Sequence, residues 1–297
     1  FFKYNRISFM WRFFYTSLLL ICQPLILCFI GLLSVKSPRY CQRLTERYGF
    51  YGNEPCPPPQ GIFIHAASVG EVIAAIPLVR QLQQDYPHLS ITFTTFTPTG
   101  SERVKATFGD SVFHYYLPFD LPFSIHRFIN FVQPKLCIVM ETELWPNLIH
   151  QLFLRNIPFV IANARLSARS THRYGKIKAR LQTMWSQISL IAAQDHISGK
   201  RYTTLGYPKE KLNITGNIKY DLNTNDELLR KIDSLRTLWK QDRPIWIAAS
   251  THNGEDEIIL KSHHALLAKY PNLLLLLVPR HPERFNVVAD LLKKEKF

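Results

Sequence analysis

Five short stretches place acids, amides or cations where an apolar run ends. Ser68-Val69-Gly70-Glu71 follows the apolar run at 61–65. A carboxylate there could take the proton from an attacking hydroxyl, given hydrogen-bond reach and a suitable pKa. In a first helical turn Glu71 could equally do no more than complement the helix dipole. Position alone weighs the two evenly. Glu141-Thr142-Glu143-Leu144-Trp145-Pro146-Asn147 follows the run at 136–140. It reads either as a site in a crevice or as a solvated loop with Pro146 at a helix start, and Trp145 tilts it towards a site. Asn163-Ala164-Arg165-Leu166-Ser167 opens a basic stretch of Arg165, Arg169, Arg173, Lys176, Lys178 and Arg180. Its later members suit a solvated helix face, and the stretch also suits an anionic lipid or a phosphorylated ligand. Lys219, in Gly216-Asn217-Ile218-Lys219-Tyr220-Asp221, could neutralise a leaving phosphate, though a lone lysine is usually a surface residue. Arg280 and His281, between Pro279 and Pro282, suit a nucleotide phosphate.

Other chemistries lack their residues. No Walker loop, G-x-G-x-x-G or H-E-x-x-H occurs, and no D-x-D supports a metal-dependent sugar-nucleotide scheme. Acids and imidazoles do not fall at metal-ligand spacing, so no metal site is expected. The five cysteines form no C-x-x-C pair, which suits a reducing compartment, and Cys137 reads as a small core residue. The net charge of +14 points to nucleic acid, an anionic membrane or phosphate-bearing substrates. No nucleic-acid-binding motif is present, so nucleic acid is not expected as a partner.

Elements that could position these residues emerge from the hydrophobic pattern. Strands are expected at 61–65, 91–95, 114–117, 136–140, 159–163 and 190–193, with helices between most of them. Val72, Ile76, Val79 and Leu82, for instance, recur at helical spacing. Continuous apolar strands alternating with helices predict an α/β fold whose mostly parallel sheet is covered on both faces. This first domain is placed at 61–221, and a polar, helical linker at 222–243 comes after it. A strand at 244–250, a helix at 255–269 and a strand at 273–278 then begin a second unit. Its opening, 245–255, repeats the pattern of 62–71: strand, small-residue turn, glycine, and an acid opening a helix. Two Rossmann-like units in tandem are therefore expected, the second incomplete at residue 297 in a truncated protein.

Ahead of these domains, residues 13–35 carry no charge in 23 positions. That is long enough to cross a hydrocarbon core of roughly 30 Å. Residues 1–12 read as an N-terminal tail and 36–60 as a basic juxtamembrane stretch with a Pro-rich spacer. Lys36, Arg39, Arg43 and Arg47 come directly after the run, so the positive-inside rule keeps its C-terminal side in the cytoplasm.

Taken in order, His65–Glu71, Thr97-Pro98-Thr99-Gly100, 141–147, 163–167, 216–221, 249–252 and 279–285 resemble the Kdo (3-deoxy-D-manno-octulosonate) transferase family of lipopolysaccharide synthesis. The resemblance runs from the anchor to the last residues. It implies a GT-B architecture of two Rossmann-like domains with an N-terminal transmembrane helix at the inner membrane. It also implies CMP-Kdo as donor, a lipid A precursor (lipid IVA) as acceptor, and inverting, metal-independent transfer without a cofactor. The family's general base maps onto Glu71, and its transition-state stabilising positions onto Glu141 and Lys219. Ser68, Gly70, Arg165, Arg280 and His281 fall at its substrate-binding positions, and anionic inner-membrane lipids are implied partners. Its later CMP-binding loops have no counterpart here, so this chain is expected to be inactive alone. The alternatives are a GT-B transferase using a UDP-sugar, and a non-catalytic, membrane-tethered sugar-nucleotide binder.

Overall fold

A computed structural model of the chain describes residues 2–52, 54–221, 226–239 and 243–295. The chain forms two compact units, Phe1–Leu222 and Asn223–Phe297. The first opens with helix α1 (Phe2–Lys36), which contains Pro24 and the segment Met10–Val35, of mean hydropathy 2.5. That segment is long and apolar enough to cross a membrane. The expected tail at 1–12 is instead the first turns of this helix from Phe2 onwards. No glycine or proline interrupts residues 2–12, so helical hydrogen bonding runs straight through them.

The body of the first unit alternates strand and helix: β1 (Ile62–His65), α2 (Val69–Asp85), β2 (Ile91–Thr95), α3 (Pro98–Phe108), β3 (Phe113–Tyr116), α4 (Pro122–Val132), β4 (Leu136–Met140), α5 (Pro146–Leu154), β5 (Phe159–Ala164), α6 (Ala168–Gly175), α7 (Lys178–Gln187), β6 (Leu190–Ala193), α8 (His196–Thr204) and β7 (Leu212–Ile214). All neighbouring strands pair in parallel, in the order β3-β2-β1-β4-β5-β6-β7. The short β7 was not expected. Its three residues are half-exposed or exposed and give no apolar run. Phe63, Cys137, Val139, Phe159 and Ile161 pack on one face of the sheet with side chains of α4, α5 and α7. Ile64, Phe93, Ile138 and Met140 pack on the other with α2 and α3. Burial on both faces is why a strand such as β4 reads as an unbroken apolar run.

The expected juxtamembrane spacer is largely part of this domain. Arg47 is 3% exposed, donates from Nη2 to the Phe96 carbonyl at 2.8 Å, and lies over the Phe96 and Tyr116 rings. Arg43 pairs with Glu46, whose other carboxylate oxygen accepts from the Tyr116 amide at 2.9 Å. Two of the four cations invoked for membrane orientation therefore hold the domain together and are not free to meet headgroups. A buried guanidinium needs such partners, and aromatic faces supply part of them.

Helix α1 docks on the first unit along one face. Tyr15 lies beside the buried Asp120, Asn147 Nδ2 donates to Thr16 Oγ1 at 3.0 Å, and Tyr48 donates to Gln23 Oε1 at 2.9 Å. Leu19, Ile26 and Ile30 pack with Phe119 and Leu121. Phe14, Leu18, Ile21, Leu25, Phe29 and Leu32 recur at helical spacing and are exposed on the opposite side.

The second unit contains α9 (Asp226–Leu238), β8 (Ile245–Thr251), α10 (Glu255–Leu267), β9 (Leu274–Pro279) and α11 (Phe285–Lys294), with β8 and β9 paired in parallel. The expected linker falls partly on residues 222–225 and 240–242, outside the described residues, with α9 between them.

Candidate functional site

Strand order reverses between β1 and β4, the switch point at which open α/β sheets bind ligands beyond the strands' carboxyl ends. The turn after β1 leads to Ser68 and Glu71, and the turn after β4 begins at Glu141. Residues 71 and 141, 70 positions apart in the chain, thus meet across one crevice. The short helix Ile218–Asp221 packs on α2 and brings Lys219 to the same place, its Nζ 3.4 Å from Glu141 Oε1.

Glu71 is nearly buried in the first turn of α2, whose N-cap is Ser68. Its Oε2 accepts from the Ala67 amide at 2.8 Å, and its Oε1 accepts from the Ser68 hydroxyl at 2.9 Å. The Glu71 amide donates back to Ser68 Oγ at 3.4 Å. Helix capping is therefore real, yet it does not exhaust the carboxylate, which offers about four lone-pair positions. Burial, with Glu141 adding to it, raises the Glu71 pKa against the pull of these hydrogen bonds and of Lys219. A base whose pKa is lifted towards neutrality is better suited to proton abstraction. Gly70 is exposed on the same turn, and a Cβ there would meet nothing closer than Ser68 Oγ at 4.0 Å.

Glu143 is the residue that sequence reasoning passed over. It lay inside the 141–147 motif but was not singled out. Burial, then repulsion from Glu71 and Glu141, pushes its pKa up to about 7. Three carboxylates and one lysine form a single electrostatic group here. Glu141 takes a left-handed backbone at φ 57°, and Asn163 at the end of β5 takes one at φ 52°. Such angles are costly for non-glycine residues and concentrate at functional sites. Asn163 Oδ1 accepts from the Ile218 amide at 3.3 Å, tying β5 to the helix that carries Lys219. Among the described residues, Asn163 Nδ2 and Trp145 Nε1 are buried donors without a partner. Trp145 stacks on Phe96, ring centroids 5.5 Å apart, which fixes the loop bearing Glu141 and Glu143.

Residues 42–222 match the family described as 3-deoxy-D-manno-octulosonic-acid transferase (kdotransferase). A 3-deoxy-D-manno-octulosonic acid transferase of Haemophilus influenzae is 96% identical over 288 residues, covering 97% of this chain and 67% of that protein. This chain belongs to the Kdo transferase family. A probable mitochondrial Kdo transferase of Arabidopsis thaliana is 34% identical over 276 residues, or 92% of this chain and 62% of that protein. The chain thus spans about two thirds of the length of these relatives. A solved UDP-GlcNAc 2-epimerase from Neisseria meningitidis, bound to UDP-GlcNAc, matches with a TM-score of 0.57 at 14% identity, over 79% of this chain and 70% of that one. At that identity the likeness speaks for fold alone, and the fold is α/β of GT-B type.

In this Kdo transferase chain the remaining candidates divide. The Arg165 side chain is exposed, and its carbonyl accepts from Thr142 Oγ1, so the backbone rather than the guanidinium is tied to the crevice loop. Arg280 and His281 belong to the second unit and are exposed at the carboxyl end of β9. The His281 ring stands edge-on to His252, centroids 6.0 Å apart, and the Arg280 amide donates to the Thr251 carbonyl at 3.0 Å. That edge rests on a buried group missed in the sequence. Asp256, 1% exposed, accepts from Thr251 Oγ1 at 2.6 Å and pairs with Arg284. Arg284 Nη1 also donates to the Thr251 carbonyl at 2.8 Å. Glu255 repeats the device of Glu71, accepting from the His252 amide at 2.7 Å.

Proposed function

We propose that the protein transfers Kdo from CMP-Kdo to a lipid A precursor such as lipid IVA, with inversion and without a metal or cofactor. One observation carries this: a nearly buried Glu71 shares the β1/β4 crevice with the Glu141–Lys219 pair. In the reaction the acceptor hydroxyl oxygen bonds to C2 of Kdo as its proton passes to the Glu71 carboxylate. The bond from C2 to the CMP phosphate oxygen breaks, and CMP leaves with the electron pair. CMP departs as an anion and needs no strong acid. Lys219, held by Glu141, supplies positive charge as negative charge develops on that phosphate. Arg280 and His281 of the second unit are candidates for binding a nucleotide phosphate. Inversion is the outcome of a single displacement using one base.

Anchoring at the inner membrane by Met10–Val35, with the catalytic units in the cytoplasm, completes the proposal. The lipid acceptor would then lie in the same bilayer, whose anionic lipids would meet the exposed cations of α6 and α7. The test is a transfer assay on the full-length protein with lipid IVA and either CMP-Kdo or UDP-sugars, products read by mass spectrometry. Addition of Kdo from CMP-Kdo alone is expected. Transfer from a UDP-sugar instead, or binding of CMP-Kdo without turnover, would overturn the assignment.

A further inference from the structure

Beside the crevice lies an apolar groove that the proposed chemistry does not use. Its cavity, about 180 Å³, runs between Trp11, Arg12 and Tyr15 of α1 and helix α7. Tyr15 comes from α1, Leu144 from the loop bearing Glu141 and Glu143, and Tyr174, Ile177 and Met184 from the α6–α7 segment. At its inner end the cavity is lined by Leu144, the chain neighbour of Glu143. At its outer end Trp11 and Arg180 also line a second hollow with Met10 and Phe14. Phe14 begins the exposed apolar stripe on the outer side of α1. An apolar track therefore leads from the lipid-facing side of α1 to the carboxylate cluster.

The rim of this track is cationic. Arg12 and Arg180 border it, and Arg180 sits over the Trp11 ring at 5.2 Å. From 168 to 187 the chain carries Arg169, Arg173, Lys176, Lys178 and Arg180 and no acid. An occupant must be apolar along its length and anionic at its head. It must also reach the crevice.

We propose that the track seats an acyl chain of the phosphorylated lipid acceptor, so that α1 is a wall of the acceptor site as well as an anchor. The α6–α7 cations meet the acceptor's phosphate, and its sugar hydroxyl is presented to Glu71 from the membrane side. The inference rests on the proposed transfer of Kdo to a lipid. It explains why α1 is docked by Tyr15, Thr16 and Gln23 and does not simply trail from the domain.

The test compares full-length protein with Met184→Trp and Ile177→Trp, each of which fills the groove. Lipid IVA and its fully deacylated disaccharide bisphosphate serve as acceptors. For lipid IVA, KM should rise about tenfold, the scale of excluding roughly two methylenes from an apolar site. For the deacylated acceptor, kcat/KM should stay within about twofold. Equal losses on both acceptors, or no loss on either, would overturn the proposal. Lipid IVA carrying a diazirine at an acyl terminus should label peptides containing Trp11 or Met184, and unlabelled lipid IVA should compete. Competition by phosphatidylethanolamine vesicles equal to that by lipid IVA would assign the groove to bulk lipid and sink the idea. Labelling needs no CMP-Kdo, so a protein that fails to transfer Kdo yet labels here separates failure of the reaction from failure of the groove.

Discussion

One carboxylate, Glu71, both caps a helix and stands where a base is needed. The sequence left those roles evenly matched; the structure shows the cap, which occupies two of the carboxylate's lone-pair positions and leaves others for the proposed base role. Glu71→Gln separates them. The amide oxygen can still accept from Ala67, so the fold should persist, while proton abstraction is lost. In the full-length protein we expect kcat to fall by about 100-fold or more, with KM and melting temperature little changed. Near-normal turnover would return Glu71 to capping alone. Glu143 makes a different prediction. Its pKa of about 7 lies above the ordinary carboxylate value, so the folded state binds its proton more tightly than the unfolded chain does. The stability tied to that proton is complete below the unfolded pKa and fades as pH rises through 7. Glu143→Gln removes the penalty, so its melting temperature should exceed that of the parent by more at pH 8 than at pH 5, by roughly 2 °C or more. A difference independent of pH would show that Glu143 is not held among like charges. Sequence alone could not single out this residue, since its raised pKa comes first from burial in the folded domain and then from Glu71, 72 positions earlier in the chain, and from Glu141.

At the scale of elements, the paired apolar runs and their order were legible because a parallel sheet buried on both faces leaves its strands unbroken. β2, β4 and β6 have the expected bounds, and β1, β3 and β5 are each off by one residue. Segments held by side-chain chemistry were not legible. The stretch before Pro55 looked like a basic spacer because charge patterning cannot show that Arg47 threads between Phe96 and Tyr116. This gives a contrast among the four cations. Arg47→Ala removes a charge-assisted hydrogen bond and two ring contacts from a buried site, and should cost about 2–3 kcal/mol. A fall of roughly 4–10 °C in the melting temperature of the first unit should result. Arg39 is largely exposed, 60% in its side chain, so Arg39→Ala should leave melting unchanged. Equal behaviour of the two variants in thermal unfolding would restore the spacer reading. Because Phe96 also stacks on Trp145, Arg47→Ala should further loosen the loop that carries Glu141 and Glu143.

Across the whole molecule the two units differ in how far their strands are sealed. β1 is buried at every position, whereas in β8 Ile247 is 61% exposed and in β9 Val278 is 48% exposed. The repeat between 62–71 and 245–255 announced the second unit, and its buried Asp256–Arg284 group shows that the turn is well formed. What the repeat could not convey is how little apolar area this short unit seals, since burial depends on the number of layers rather than on any local motif. Two paired strands are marginal on their own in water. In hydrogen exchange of the 297-residue chain, the β8 and β9 amides should therefore exchange well before those of β1, β4 and β5. The same reasoning bears on activity. On the proposal that Arg280 and His281 bind the donor, the second unit must be rigid, and this chain spans 67% of the Haemophilus protein. We expect the 297-residue chain to transfer no Kdo from CMP-Kdo in an assay where the Haemophilus-length protein does, while still labelling with the acyl-diazirine lipid IVA through its first unit. Transfer at a comparable rate, with β8 and β9 protected as strongly as β1, would mean that the second unit is already rigid enough to hold the donor.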